Sequence, residues 1–462
     1  MIGRIYHKWR LFGILIYIMS SASIYINKAK NLKSHALGIW GHAGFQKYFK
    51  NTGWMFGGRM FALAISFIVG IYMARYLGPS NYGLLSYVLS FVGLFGFLAS
   101  FGVDNIVSRE IVKDHTKKDI LIGTAFYIKI IGSILAIVSI FIVSLFTTKD
   151  IFTLGLIWLF SLNFIPQAFN IIETYLQSQV LAKKIVTAQF ISNTVSAILK
   201  IICISLDKGI FWLTLIYILE TILYSGILLF TFRKFGNHIR EWRFNKKVAI
   251  LLLKDSWPLM LSSVAIGIYM KIDQVMIKNM LGNEPAGIYA VAVKLSEVWY
   301  FIPTLICVSI SPSIINAAKI GKDFLDKRMR GLYFFMFWLS FSIAIFTTIF
   351  AHLIVKTLFG TAYLGSVSTL QIYVWAGVSV SLGVSVSQYL VANNLTKISF
   401  YNTIAGAIIN IVLNIILIPK IGILGGAIAT VISYTISTFS VFIHKKTRNQ
   451  GLLILKSIIN YN

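Results

Sequence analysis

Residues 257–303 read WPLMLSSVAIGIYMKIDQVMIKNMLGNEPAGIYAVAVKLSEVWYFIP. Two apolar stretches, each long enough to cross a bilayer, meet at the polar corner Gly282-Asn283-Glu284-Pro285. Inside them lie Lys271, Asp273, Lys278, Lys294 and Glu297. A charge at the depth of the hydrocarbon costs at least about 2.5–3.5 kcal/mol, so it normally faces a partner or a wet cavity. The stretch therefore predicts two membrane-spanning helices whose charges line a cavity through the bilayer.

The rest of the chain extends the pattern. Of its 462 residues, 57% are hydrophobic and 12% charged, and the mean hydropathy is +0.79. A soluble chain carries about a quarter charged residues. Here runs of about 20 apolar residues, the length that crosses the hydrocarbon core, follow one another. Twelve are expected, at 54–77, 82–103, 120–146, 151–172, 186–206, 210–232, 257–281, 286–316, 331–355, 365–391, 399–419 and 421–443. The expected fold is an all-α polytopic membrane protein, its twelve transmembrane helices forming two pseudo-symmetric six-helix bundles. The bundles would be residues 47–232 and 257–445, joined by a basic linker at 233–256 and followed by a tail at 446–462. Residues 1–46 form a basic extension in which Leu11 to Ile26 is a short apolar run between Arg10 and Lys28. Ser21-Ala22-Ser23 is a weak cleavage site, so that run reads as an interfacial anchor or a further span rather than a cleaved signal.

A net charge of +27 invites a nucleic-acid reading, but its placement argues for topology. Alternate connectors, together with both tails, hold 31 of the 42 Lys and Arg; the opposite connectors hold Lys149, Lys208, Lys356 and Lys420. Basic residues mark the cytoplasmic side, which places both termini there, where the charge also attracts anionic membrane lipids. No nucleic-acid partner is expected. Cys203 and Cys307 both lie in apolar runs, so no disulfide framework is implied. The seven histidines lack metal-ligand spacing, and no metal site or cofactor is expected.

The chain also repeats. Tyr76-Leu77-Gly78-Pro79-Ser80-Asn81-Tyr82-Gly83 and Met280-Leu281-Gly282-Asn283-Glu284-Pro285-Ala286-Gly287 stand 204 residues apart with glycines at the same two places. Tyr175-Leu176 with Leu181 and Lys183 matches Tyr389-Leu390 with Leu395 and Lys397. With six spans per half the repeats run parallel, and transporters built this way hold substrate between the halves near mid-membrane.

Ala74-Arg75-Tyr76-Leu77-Gly78-Pro79, Tyr82-Gly83 and Phe101-Gly102-Val103-Asp104 resemble the first two helices of polysaccharide repeat-unit flippases. These belong to the multidrug/oligosaccharidyl-lipid/polysaccharide exporter superfamily. Asp273-Gln274, Gly287-Ile288-Tyr289 and Lys294-Leu295-Ser296-Glu297-Val298-Trp299 are similar to their seventh and eighth helices, and Ile418-Pro419-Lys420 through Ala427 to the corner between the last two. The resemblance covers about residues 47–445. It implies a bacterial cytoplasmic (inner) membrane protein that moves undecaprenyl-pyrophosphate-linked oligosaccharide to the periplasmic leaflet by alternating access, for O-antigen, capsule or exopolysaccharide assembly. It also leaves room for polysaccharide polymerase and chain-length proteins as partners. A lipid II flippase and a cation-coupled multidrug antiporter are the alternatives.

Arg59, beside Gly57-Gly58, either offers a guanidinium fork to a phosphate or snorkels to headgroups. Lys271 lies deeper than Lys278 and is the better ligand candidate. Lys294 can bind phosphate or pair with Glu297 three residues on. Asp273 cannot face Lys271 on one helix; it pairs with a cation elsewhere or carries a coupling proton or sodium ion. Lys129 and Lys200 are further cavity candidates, and Glu220 is as consistent with a structural hydrogen-bonding role. Seven in-span cations against Asp273, Glu220 and Glu297 predict a positive cavity suited to pyrophosphate. Pro258, Pro303 and Pro312 should interrupt helices seven and eight. An enzyme is not expected, because no outer connector is long enough for a catalytic loop and no nucleotide-binding motif is present.

Overall fold

In the computed structural model residues 43–459 are described, and the Leu11–Ile26 run lies outside them. Every regular element among them is helical. The long helices are α1 Lys50–Gly93, α2 His115–Thr147, α3 Ile151–Ser178, α4 Ala182–Ser205, α5 Ile210–Lys234, α6 Lys246–Leu281, α7 Asn283–Ile320, α8 Lys322–Phe359, α9 Ser366–Ala392, α10 Thr396–Ile421 and α11 Ile423–Phe442.

Ten of these are long and apolar enough to cross a membrane, and α6, bent by 53° between Pro258 and Ser263, makes eleven. The twelfth pass is folded into α1. Gly78 there takes φ 66° and ψ 174°, outside any helix, and the arms on either side return to line one cavity with Ser66 and Met73 on one and Leu85 and Leu89 on the other. Only glycine adopts that backbone without strain. Gly282, at the matching place in the second half, has φ 98° and ψ −174°.

The second repeat also folds twice. Val180 (φ 60°) and Asn394 (φ 57°) end α3 and α9 in the left-handed region. In one loop Leu181 N–H donates to the Leu176 carbonyl at 3.0 Å, and in the other Leu395 N–H donates to the Leu390 carbonyl at 2.7 Å. This is the pattern that satisfies the orphan carbonyls of a helix C-terminus.

Each helix turns one apolar face inward and another to lipid. On α2, Ile122, Ala125, Ile128, Ala136 and Ile140 are buried, whereas Ile131, Ile134, Val138 and Ile142 are about half exposed. Gly132 lies so close to the Leu98 carbonyl that a Cβ would sit 2.2 Å from its oxygen. Small residues at such crossings let helices approach without help from a hydrophobic effect that lipid does not supply. One apolar cluster lies wholly within residues 103–252 and another within 307–454. A third, running from Val69 to Leu370, joins the halves.

The halves close on each other at the end opposite the basic connectors. A Cβ on Gly83 would lie 1.9 Å from the Asn283 carbonyl oxygen, and one on Gly287 1.9 Å from that of Pro79. The two repeated corners thus cross backbone to backbone. Nearby, Arg75 donates to the carbonyls of Leu358 (2.7 Å) and Thr357, and the Tyr363 hydroxyl donates to the Ala74 carbonyl at 2.7 Å.

Several expected spans differ in detail. The seventh starts eleven residues early, at Lys246, and Ala249 and Leu252 pack into the first half's cluster, so the expected linker is partly helical. The eighth breaks at 298–300 because Pro303 has no N–H for the Trp299 carbonyl. Pro258 stands at the bend of α6, but Pro312 lies inside the continuous helix Phe301–Ile320 and does not interrupt it.

Candidate functional site

A cavity of about 390 Å³ lies between the halves, lined by both arms of α1, by α6 and α7, and by Tyr217 of α5 and Tyr373 of α9. It brings together Lys271, Asp273, Lys294 and Glu297. Lys271 projects from α6, exposed, with no hydrogen bond or ion pair among the described residues.

Lys294 does not pair with Glu297, although the spacing allows it. Its side chain crosses to α1, where a Cβ on Gly70 would lie 1.5 Å from Nζ; glycine there leaves the space for the ammonium. Glu297 instead accepts a hydrogen bond from the Tyr373 hydroxyl at 2.9 Å and lines the same cavity as Lys271.

Asp273, 4% exposed, meets no cation. It accepts from the Tyr289 hydroxyl (3.0 Å), from Asn414 Nδ2 (2.5 Å) and from the Thr430 hydroxyl. Asn414 also donates to Asn410 Oδ1 at 3.2 Å. α6, α7, α10 and α11 thus converge on one carboxyl held by neutral groups. A buried carboxyl so placed is a suitable seat for a proton or a small cation, and the expected cationic partner is replaced by hydroxyls and amides.

Next to this cavity lies another of about 300 Å³, sharing Ser66, Gly70, Met73 and Tyr217 with it and bounded further by Arg59, Lys200 and Glu220. Arg59 is exposed on the wall and has no partner among the described residues. Lys200 is committed: its Nζ lies 2.9 Å from Glu220 Oε2 and 3.6 Å from the centre of the Tyr217 ring. The Ser196 hydroxyl donates to the same Glu220 oxygen at 2.5 Å. Lys129, 5% exposed, is paired at 2.7 Å with Asp104, which also accepts from Thr174 at 3.2 Å. It borders a separate cavity of about 360 Å³.

The expectation of seven cations around one positive cavity is therefore corrected. Arg75 binds carbonyls, Lys278 sits 4.4 Å from the centre of the Tyr87 ring, and Lys129 and Lys200 are neutralised. The central cavity balances two lysines with two carboxyls. Arg59, Lys271 and Lys294 are the in-span cations left without a bonded partner among the described residues.

Attention to charge also passes over side chains that line the cavity or hold its carboxyls. Tyr217 and Tyr373 look like ordinary core aromatics in the sequence. Asn410, Asn414 and Thr430 carry a readable signal, because polar groups four apart inside an apolar helix face a partner.

The chain matches the family model described as "Polysaccharide biosynthesis protein" over residues 48–317, more than half its length. It is 26% identical over 190 residues to an uncharacterized membrane protein of Methanocaldococcus jannaschii, spanning 44% of that relative's length. Among solved structures it is similar to an inward-facing multidrug resistance MATE family transporter of the MOP superfamily: TM-score 0.67, 15% identity, 86% of this chain and 96% of the other. It is equally similar to the lipid II flippase MurJ in an inward closed conformation: TM-score 0.67, 19% identity, 88% and 90%. The helices thus follow the fold of these transporters, and the chain belongs to the polysaccharide biosynthesis protein family.

Proposed function

We propose that the protein is a flippase for polyprenyl-pyrophosphate-linked oligosaccharide, working by alternating access between two six-helix halves, residues 47–232 and 257–445, with the basic connectors and both termini on the cytoplasmic side. The observation that carries this reading is the set Arg59, Lys271 and Lys294. These are three unpaired cations in linked cavities, beneath an end where the halves already touch. A pyrophosphate supplies the missing partners: a fork for the guanidinium and point contacts for the ammoniums. The saccharide occupies the polar cavity and the lipid tail stays in the bilayer. Asp273 couples the cycle to a proton or sodium ion, and Glu297, in the same cavity, sets where the cations sit. The family match favours a polysaccharide precursor over lipid II, while the two carboxyls of the central cavity keep a cation antiporter as the second reading.

The deciding experiment is translocation of fluorescent polyprenyl-pyrophosphate oligosaccharide in proteoliposomes, with wild type beside Lys271→Ala and Lys294→Ala. Loss of one charge-assisted contact, worth about 1.5–3 kcal/mol, is expected to slow transport at least tenfold in each folded variant. Equal rates in all three would move the docking site elsewhere. Export of ethidium with no lipid movement would make the protein a drug antiporter.

A further inference from the structure

The first half contains a cavity of about 500 Å³ that meets the phosphate-docking residues only at Arg59. It falls within the range of about 300–1,000 Å³ typical of small-molecule sites. Its walls carry five carboxamides: Gln167, Asn170 and Gln177 from α3, and Gln189 and Asn193 from α4. The side chains of Gln167 and Asn193, both half-buried, have no hydrogen-bond partner among the described residues. Gln177 is bonded to Glu173 and Asn170 accepts from Ser225 at 3.4 Å, but packing gives no reason for the free amides of Gln167 and Asn193, since a polar group left unpaired costs free energy.

An amide donates and accepts from the same group, as does a sugar hydroxyl, so a wall of amides matches a ring of hydroxyls in every orientation. The charges narrow the class. Glu173 accepts from the Tyr224 hydroxyl at 2.7 Å and from Gln177 Nε2 at 3.0 Å, and faces the cavity without a cation bonded to it. Glu220 is offset by Lys200, leaving Arg59 against Glu173. With the pyrophosphate on Arg59, a carboxylate brought into this space meets Glu173 with no free cation to offset it, whereas carboxylate oxygens are good acceptors for neighbouring hydroxyls.

The cavity shares Arg59, Ala62, Asn193 and Glu220 with the adjoining space of about 300 Å³, which continues to Lys294. Building on the flippase reading, we propose that this amide-lined cavity is the saccharide subsite and that it selects uncharged sugars, hexoses or N-acetylhexosamines, over uronic acids. The pyrophosphate then lies toward Arg59 and Lys294 while the sugar sits on α3 and α4.

The test uses the full chain in proteoliposomes and three fluorescent polyprenyl-pyrophosphate probes: one bearing a neutral disaccharide, one the same disaccharide with a glucuronate in place of the hexose, and one without sugar. Wild type is expected to move the neutral probe about tenfold faster than the uronate probe. Asn193→Leu and Gln167→Leu should each lower the ratio of neutral to sugar-free transport about fivefold, the value of one lost hydrogen bond. Glu173→Gln should raise uronate transport relative to neutral. Equal wild-type movement of all three probes overturns the inference while leaving the flippase reading intact, and it does so even if a leucine variant fails to fold. Movement of none of them overturns both.

Discussion

Val180 holds φ 60° where the matching loop of the second half places Asn394 at φ 57°. Asparagine tolerates this region and a β-branched residue does not, the left-handed conformation costing roughly 1–2 kcal/mol for an ordinary side chain. Val180→Asn is therefore expected to stabilise the protein by about 1 kcal/mol, read as a higher midpoint of thermal unfolding in detergent, with transport unchanged. The same contrast marks what sequence spacing resolves. Lys294 and Glu297 stand three apart and pair on paper; in the fold Gly70 and Tyr373, far along the chain, draw them apart. The charges themselves were legible because hydrocarbon makes them costly, but the aspartate that neutralises Lys129 was not, since Asp104, at the start of the helix Asp104–Lys113, lies outside the apolar runs.

Helix α10 presents Asn402, Asn410 and Asn414 on one buried face, at intervals of eight and four residues. Two of the three form the amide wall around Asp273, and Thr430 of α11 completes it. This stripe is visible in the sequence as soon as polar groups are weighed as charges are. Its partner is not, because nothing in the spacing says that α10 rather than another helix packs on α6. If Asp273 is the coupling group, Asp273→Asn replaces the carboxyl by an amide of the same shape that can neither take up a proton nor neutralise a sodium ion. The variant is expected to fold, since removing a buried charge rarely costs stability when its surroundings are neutral and polar. Its transport should no longer respond to an imposed proton or sodium gradient in vesicles. A full gradient response in the variant would exclude Asp273 from coupling.

Across the molecule, the succession of spans and the two-fold repeat were legible because bilayer thickness fixes helix length and because corners of the same shape need glycine in the same places. Gly78 and Gly282 share a backbone conformation that the sequence match foreshadowed. What lay beyond the sequence was the encounter between the corners, which depends on how the halves tilt. Gly83→Ala and Gly287→Ala each put a methyl group where a carbonyl oxygen now stands, 1.9 Å from the Cβ position. Each is expected to hold the halves apart at that end. A cysteine at Ser86, on the wall of the central cavity, would then react faster with an impermeant thiol reagent added from that side, in a background lacking Cys203 and Cys307. Unchanged reactivity would mean that the corners separate without opening a path.

The crossing has an arithmetic of its own. Pro79 and Gly83 meet Asn283 and Gly287, and each pair stands 204 positions from its counterpart, so one seam is made twice by a single rule. Neither contact of such a seam survives the parting of the other; it is a clasp with two tongues and one pin. Adding the second alanine to the first should therefore change little, because the first has already undone what both glycines hold. A one-residue deletion in either corner would likewise throw both tongues out of register together.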